Sequence, residues 1–280
     1  MSYEEGFLEY SDGSKVRYWL NNDLERPLVV FVHGLGENLE IYRFLWPLFD
    51  EAGLAINSVE LRGHGQSSGK PKFVKDFGLF AQDLKRFLDE KLDNRPVILM
   101  GHSTGGMVIS RVAQDLTGQI QGIVLSSPLF ALKISTVEKI AISILSKVKS
   151  GHVLPASEED FGGLTHDPGM TVELLNESKR TLMGVTMGFL GAFRQEKKRL
   201  VKNKRKLITF PLLLFLAGKD SILDVPQIEE MVEGFYHDNK ANLELVKKEE
   251  AFHAIFLETD RYETFQTALE WIIMKLELET

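Results

Sequence analysis

Ser103, Asp220 and His253 are the residues whose types and order could do covalent chemistry. Ser103 sits in Gly101-His102-Ser103-Thr104-Gly105-Gly106, directly after the apolar run Val97–Met100 and before a helical pattern (Met107, Val108, Val112, Ala113, Leu116). A G-x-S-x-G sequence at a strand-to-helix turn holds its serine at the tip of a sharp bend. The flanking glycines remove Cβ clashes, and the following helix aims its N-terminal N–H groups at the site. Such a serine is a nucleophile once a base takes its proton. Asp220 ends Gly218-Lys219-Asp220, just past the run Leu212–Leu216, with Asp224 as the alternative acid. His253 follows the last strand-like run, Leu243–Val246. In chain order this gives serine, acid and histidine, with the histidine as proton shuttle and the aspartate fixing its tautomer.

A tetrahedral oxyanion also needs donors. His33-Gly34-Leu35-Gly36-Glu37 follows the run Leu28–Val32, where hydrolases built on this turn place one donor. The two amides are then those of Leu35 and Thr104, each worth about 2.7–4 kcal/mol in acyl transfer. The other histidines read as structural: His33 and His64 as loop-shaping residues, His102 as a neighbour of the nucleophile. His152, His166 and His237 lack paired ligand spacing, so neither a metal nor any other cofactor is expected.

The elements that must position these residues follow from the pattern. Phe7–Tyr10 and Val16–Leu20 flank a turn cluster and read as a hairpin. Runs at Leu28–Val32, Ala55–Val59, Val97–Met100, Ile120–Leu125, Leu212–Leu216 and Leu243–Val246 show little alternation, as in parallel strands buried on both faces. Helical spacing lies between them, including Phe73–Leu88 and Tyr262–Leu276. This is an α/β chain with a mostly parallel sheet of about eight strands and helices on both faces. About 85 residues after Ser126 show no clear strand, too long for a loop in a compact domain. The expected organisation is a core of residues 1–128 and 210–280, with residues 129–209 as a helical cap.

Composition narrows the function classes. The chain has 280 residues, 44% hydrophobic and 26% charged, which is globular composition, and no cysteine, which removes disulfides and thiolate sites. A net charge of −7 argues against nucleic acid as a partner. The acidic opening Met1–Gly6 lacks the order of a signal peptide, and no run reaches about 18 apolar residues, so a cytoplasmic protein is expected.

Within the insertion, Thr181–Phe193 is apolar and glycine-containing. It reads as a mobile lid contributing Met183, Met187 and Phe189 to an acyl channel, or as ordinary core between cap helices. Arg194–Lys206 carries eight basic residues against Glu196. It would bring the cap to anionic lipid, or be a solvated face paired with acidic neighbours.

Taken together, His33–Glu37, Leu61-Arg62-Gly63-His64-Gly65-Gln66-Ser67, Gly101–Gly106, Gly218–Asp220 with Asp224, and Phe252-His253-Ala254-Ile255-Phe256-Leu257-Glu258 resemble the monoacylglycerol lipase and lysophospholipase branch of the α/β-hydrolases. The resemblance implies the α/β-hydrolase fold, Ser103 as nucleophile, Asp220 as acid, His253 as base, Leu35 and Thr104 as oxyanion donors, and a cap over an apolar channel. It departs from the branch at Glu60, where aspartate is usual, at Thr104, where methionine is commoner, and at Ala254, where many relatives carry glutamate. The implied activity is hydrolysis of medium- or long-chain esters of the monoacylglycerol or lysophospholipid type. Alternatives on the same scaffold are a short-chain carboxylesterase, an aminopeptidase-like amidase and a ligand-binding relative without catalysis.

Overall fold

The computed structural model describes residues 3–276 apart from 24, 94 and 117. Met1 and Ser2 of the acidic opening, and the last four residues of the expected core, lie outside the described residues. Among the described residues ten strands are present: β1 (Tyr3–Glu9), β2 (Lys15–Asn21), β3 (Leu28–Val32), β4 (Ala55–Val59), β5 (Val97–His102), β6 (Ile120–Ser126), β7 (Val153–Pro155), β8 (Gly184–Thr186), β9 (Leu212–Ala217) and β10 (Leu243–Lys248). The helices are α1 (Leu45–Glu51), α2 (Gly78–Lys91), α3 (Thr104–Asp115), α4 (Thr136–Val148), α5 (Glu159–Gly162), α6 (Pro168–Thr181), α7 (Met187–Lys202), α8 (Lys204–Leu207), α9 (Val225–Phe235) and α10 (Arg261–Lys275).

Eight strands form one sheet in the order β1-β2-β4-β3-β5-β6-β9-β10. The hairpin β1–β2 is antiparallel and joins β4 antiparallel, and every later pairing is parallel. This is the α/β-hydrolase arrangement, and all six expected parallel runs lie in it. Strand alternation divides the core into two layers. Leu28, Val30 and Val32 of β3 face one side with Phe80, Leu84, Phe87, Val108 and Val112 of α2 and α3. Val29 and Phe31 face the other with Phe49 of α1 and Phe265, Ala268, Leu269 and Ile272 of α10. Burial of each such side chain contributes on the order of 1.5–3 kcal/mol, so the strand ends that carry the chemistry stand on a rigid base. The amphipathic pattern beginning at Phe73 is only partly helical: α2 starts at Gly78, although Val74 and Phe77 still pack into its layer.

The segment between β6 and β9 departs from the strandless expectation. It holds α4 to α8, but β7 and β8 also pair as an antiparallel ribbon, Val153 opposite Thr186 and Pro155 opposite Gly184. Three residues per strand are too few to register as a period in the sequence. The ribbon also interrupts the apolar stretch Thr181–Phe193, because the chain passes through β8 before α7 starts at Met187. Gly191 lets α7 press against Ser146 of α4, where a Cβ would meet the serine Cβ at 2.5 Å. This glycine serves close packing between two helices of the segment. No helix among the described residues is long and apolar enough to cross a membrane.

Candidate active site

Ser103 occupies the bend between β5 and α3 with φ 51° and ψ −112°, a left-handed backbone that non-glycine residues rarely adopt. The bend is over-determined by its neighbours. The Ser103 N–H donates to the Ser126 carbonyl at 2.9 Å, and its own carbonyl accepts from the Leu129 N–H at 2.9 Å. Gly105 lies against the end of β3, where a Cβ would stand 2.0 Å from the Val32 carbonyl oxygen. Only glycine lets α3 start that close to the sheet, and this is the physical reason for the second glycine of the motif.

His253 and Asp220 arrive from the loops after β10 and β9. The His253 Nε2 lies 3.0 Å from the Ser103 hydroxyl, and its Nδ1 lies 2.7 Å from Oδ2 of Asp220. The other Asp220 oxygen accepts the N–H groups of Ile222 and Leu223 at 2.8 and 2.9 Å. Burial disfavours the Asp220 charge, but the histidine and these two amides outweigh it, and its carboxyl is held below the usual range. Asp224, the alternative acid, is the N-cap of α9 and accepts from the Gln227 N–H at 3.2 Å. The geometry therefore separates two aspartates that the sequence left in competition.

The loop after β3 carries Leu35, and Thr104 is the first residue of α3, with an N–H that no intrahelical carbonyl can take. Both residues line one cavity with Ser103 and His253. Two carboxylates brace the surrounding loops. Glu37 accepts the Gly34 N–H at 2.6 Å and the Tyr42 hydroxyl at 2.9 Å, and burial pushes its carboxyl up to about 7. Glu60 accepts the N–H groups of Leu39, Gln66 and Ser67, so a glutamate does the loop-holding work at the position where aspartate is usual.

The histidines expected to be structural are so placed. His33 donates from Nδ1 to the Gly34 carbonyl and accepts the Leu61 N–H at Nε2 (3.0 Å), tying the loops after β3 and β4 together. Burial pushes it down to about 3, and His64 down to about 4. His102 donates to the Ser126 carbonyl at 3.1 Å, its ring 4.9 Å from that of His253, and burial with the nearby His253 holds its pKa far below the usual value. His166 bonds Glu258 and stacks on Phe252, while His152 and His237 are exposed. Among the described residues no cluster of three or more metal-ligating side chains occurs.

The cavity measures about 610 Å³ and is walled by apolar side chains of the segment between β6 and β9, among them Leu154, Phe161, Leu174, Val185, Phe189 and Leu190. Of the three side chains expected in the channel, only Phe189 lines it. Met187 packs into the core layer of α2 and α3, and Met183 packs against the opposite layer. The ribbon is the reason: β8 redirects the chain and buries Met187 at the start of α7.

Three features of the site escaped the sequence reading. Glu37 was visible only as part of a motif. Glu258 accepts the Phe252 N–H at 2.8 Å and fixes the loop that carries His253. Lys72 lines the cavity although nothing local in the sequence marks it. Glu37 and Glu258 act through short loop contacts whose geometry spacing does not show, and Lys72 through residues more than a hundred positions away in the chain.

Comparison with known proteins agrees with this architecture. The chain is 23% identical over 267 residues to a monoacylglycerol lipase of Mycolicibacterium smegmatis, covering 92% of each chain. It is 27% identical over 252 residues to the phospholipase YtpA of Bacillus subtilis, covering 87% of this chain and 95% of that one. A soluble variant of the monoglyceride lipase of Saccharomyces cerevisiae superposes with a TM-score of 0.77 at 24% identity, covering 100% of this chain and 97% of that one. A monoacylglycerol lipase of Paleococcus ferrophilus gives 0.76 at 21% identity, covering 98% and 100%. The family model described as serine aminopeptidase, S33, matches residues 24–260. With this match spanning most of the sequence, and with the sheet order that goes with it, the chain belongs to that serine aminopeptidase family, on the α/β-hydrolase fold.

Proposed function

We propose that the chain is a serine hydrolase of carboxylic esters with medium or long acyl chains, of the monoacylglycerol or lysophospholipid type. The observation that carries this reading is the unbroken relay Ser103–His253–Asp220 opening into a large apolar cavity. The names of the full-length relatives, a monoacylglycerol lipase and a phospholipase, support the substrate class. In this mechanism the His253 Nε2 takes the Ser103 proton as Oγ attacks the ester carbonyl. The Leu35 and Thr104 amides receive the oxyanion, and His253 returns the proton to the leaving alcohol. Asp220 holds the imidazole with its proton on Nδ1 and stabilises the imidazolium. Water activated by His253 then releases the fatty acid from the acyl-enzyme. Residues 129–209 act as the cap whose apolar side chains receive the acyl tail.

Initial rates on monoacylglycerols and p-nitrophenyl esters of increasing chain length, with Ser103→Ala alongside, test this. Ser103-dependent turnover rising with acyl length is expected. A peak at acetyl would favour a short-ester esterase, and turnover confined to aminoacyl amides would favour the aminopeptidase alternative.

The same reading places the cap at an anionic lipid surface. Val137, Ile140, Ile144 and Val148 form an exposed stripe on α4, up to 75% exposed, beside Lys139 and the basic face of α7. Arg199 pairs with Asp115 at 2.8 Å, as in the solvated-face alternative. Among the described residues, however, no carboxylate lies within 4 Å of Lys198, Lys202, Lys204, Arg205 or Lys206. Apolar insertion and about 1 kcal/mol per basic residue would act together at such a surface. Sedimentation with anionic vesicles that weakens in salt, and with Ile140→Ser/Ile144→Ser, is expected. Equal binding to neutral vesicles would refute it.

A further inference from the structure

Lys72 is a cation inside the Ser103 cavity, with only 4% of its surface exposed. Its ammonium donates to the Ser178 hydroxyl at 2.6 Å and to the Leu182 carbonyl at 2.6 Å. Neither acceptor is charged. Among the described residues it has no carboxylate within 4 Å. Glu177, one residue before Ser178, is engaged by Arg180 and by the Asn38 amide, at 2.8 and 2.9 Å. A buried charge without a partner is costly and persists where it has a task. An ammonium also has three protons, and two are taken by the protein.

The surroundings are shaped to hold this group. Lys72 has φ 47°, a left-handed backbone for a residue with a long side chain. Gly36, in the loop that carries Leu35, has φ 80°, and a Cβ there would stand 2.9 Å from Lys72 Cε and 3.0 Å from Nζ. The lysine head thus fills the space a side chain at Gly36 would need, beside the oxyanion loop. The ammonium is not required to fasten this segment to the cap. The Lys72 carbonyl already accepts the Thr186 hydroxyl at 2.8 Å, and the ring of Phe73 packs against Gly188.

We propose that Lys72 is a specificity-determining residue whose ammonium binds an anionic group of the ester substrate, a phosphate or a carboxylate, inside the cavity. This rests on the ester-hydrolase reading. Burial pushes the lysine down to about 8, which leaves it charged at neutral pH. The charged or titratable groups facing it are Glu177 of α6 and His64 of the loop after β4.

The test compares kcat/KM within two matched pairs at pH 7. One pair is a 1-acylglycerol phosphate against the same 1-acylglycerol, which places the anion on the alcohol side. The other is the methyl half-ester of a long dicarboxylic acid against the methyl ester of the matching fatty acid, which places it at the far end of the acyl chain. A charge-assisted hydrogen bond predicts a preference for one anionic member on the order of tenfold to a hundredfold. That ratio should collapse to about one in Lys72→Gly and Lys72→Met. Both variants lose the buried hydrogen bonds to Ser178 and Leu182 and are expected to lower Tm, so the ratio is the deciding readout: a merely structural lysine would lower Tm and leave the ratio unchanged. Ratios near one for both pairs in the unmodified protein, or a preference that survives in both variants, would overturn the assignment while leaving the ester-hydrolase reading intact. Absence of Ser103-dependent turnover on every ester would overturn both.

Discussion

Replacing Asp220 with asparagine isolates one atom of the site. Oδ2 accepts from His253 Nδ1 at 2.7 Å, and Oδ1 accepts two backbone N–H groups. An amide has one acceptor end. If its oxygen faces the histidine, its NH2 faces the amides of Ile222 and Leu223 and leaves the buried Leu223 donor unpaired, at about 1–3 kcal/mol, and the part-buried Ile222 donor at less. If its oxygen serves those amides, its NH2 faces Nδ1. The second orientation is favoured by at least about 1–3 kcal/mol. It forces the histidine proton onto Nε2, where it cannot accept from Ser103. Added to the lost charge opposite the imidazolium, this predicts a fall in kcat on the order of 10⁴ at pH 7 with the fold retained. Initial rates on a p-nitrophenyl ester measure it, with Tm as control. Asp224→Ala is the contrast: loss of the α9 cap costs about 0.5–2 kcal/mol of stability and leaves kcat within a few-fold. A kcat for Asp220→Asn within tenfold of the parent would refute the assignment of the acid.

Gly105→Ala pushes a methyl into the Val32 carbonyl at 2.0 Å, and backbone on both sides leaves nothing flexible to yield. A loss of about 1–3 kcal/mol in thermal unfolding is expected, with an activity loss on the order of a hundredfold as the bend shifts. Acid stability follows from the buried neutral histidines. His33 and His64 titrate near 3 and 4 when folded, so below about pH 6.5 the unfolded chain binds more protons and stability falls by about 1.4 kcal/mol per pH unit for each. Glu37, raised to about 7, acts in the opposite sense and stabilises the fold as pH falls from that value toward 4.5. Stability measured from pH 6.5 to 5 should therefore have a mean slope smaller by about 1 kcal/mol per unit in His64→Gln than in the parent, and equal slopes would contradict the buried neutral state.

The sheet was legible because parallel strands buried on both faces need continuous apolar runs, and β3, β5 and β9 show them plainly. The serine, aspartate and histidine that the structure brings within hydrogen-bond reach of one another each stand past a strand end with a local signature in the sequence. What stayed hidden depends on contacts across the chain. The β7–β8 ribbon is three residues per strand, and it turned Met187 away from the cavity. Lys72 looks in sequence like one more surface lysine in Lys70-Pro71-Lys72, and only the approach of Gly36, Ser178 and Leu182 buries it. Asp220 ranked ahead of Asp224 in the sequence because it lies closer to the end of β9, and the structure gives Asp224 a separate task as the cap of α9.

The central claim is that Ser103 is a nucleophile activated by His253. Intact-protein mass spectrometry after exposure to a fluorophosphonate, with the adduct mapped by peptide sequencing, tests it most directly. One stoichiometric adduct on Ser103 is predicted, abolished in Ser103→Ala and slowed by orders of magnitude in His253→Ala. An unlabelled Ser103 in the folded parent protein, or an adduct on another residue, would contradict the account.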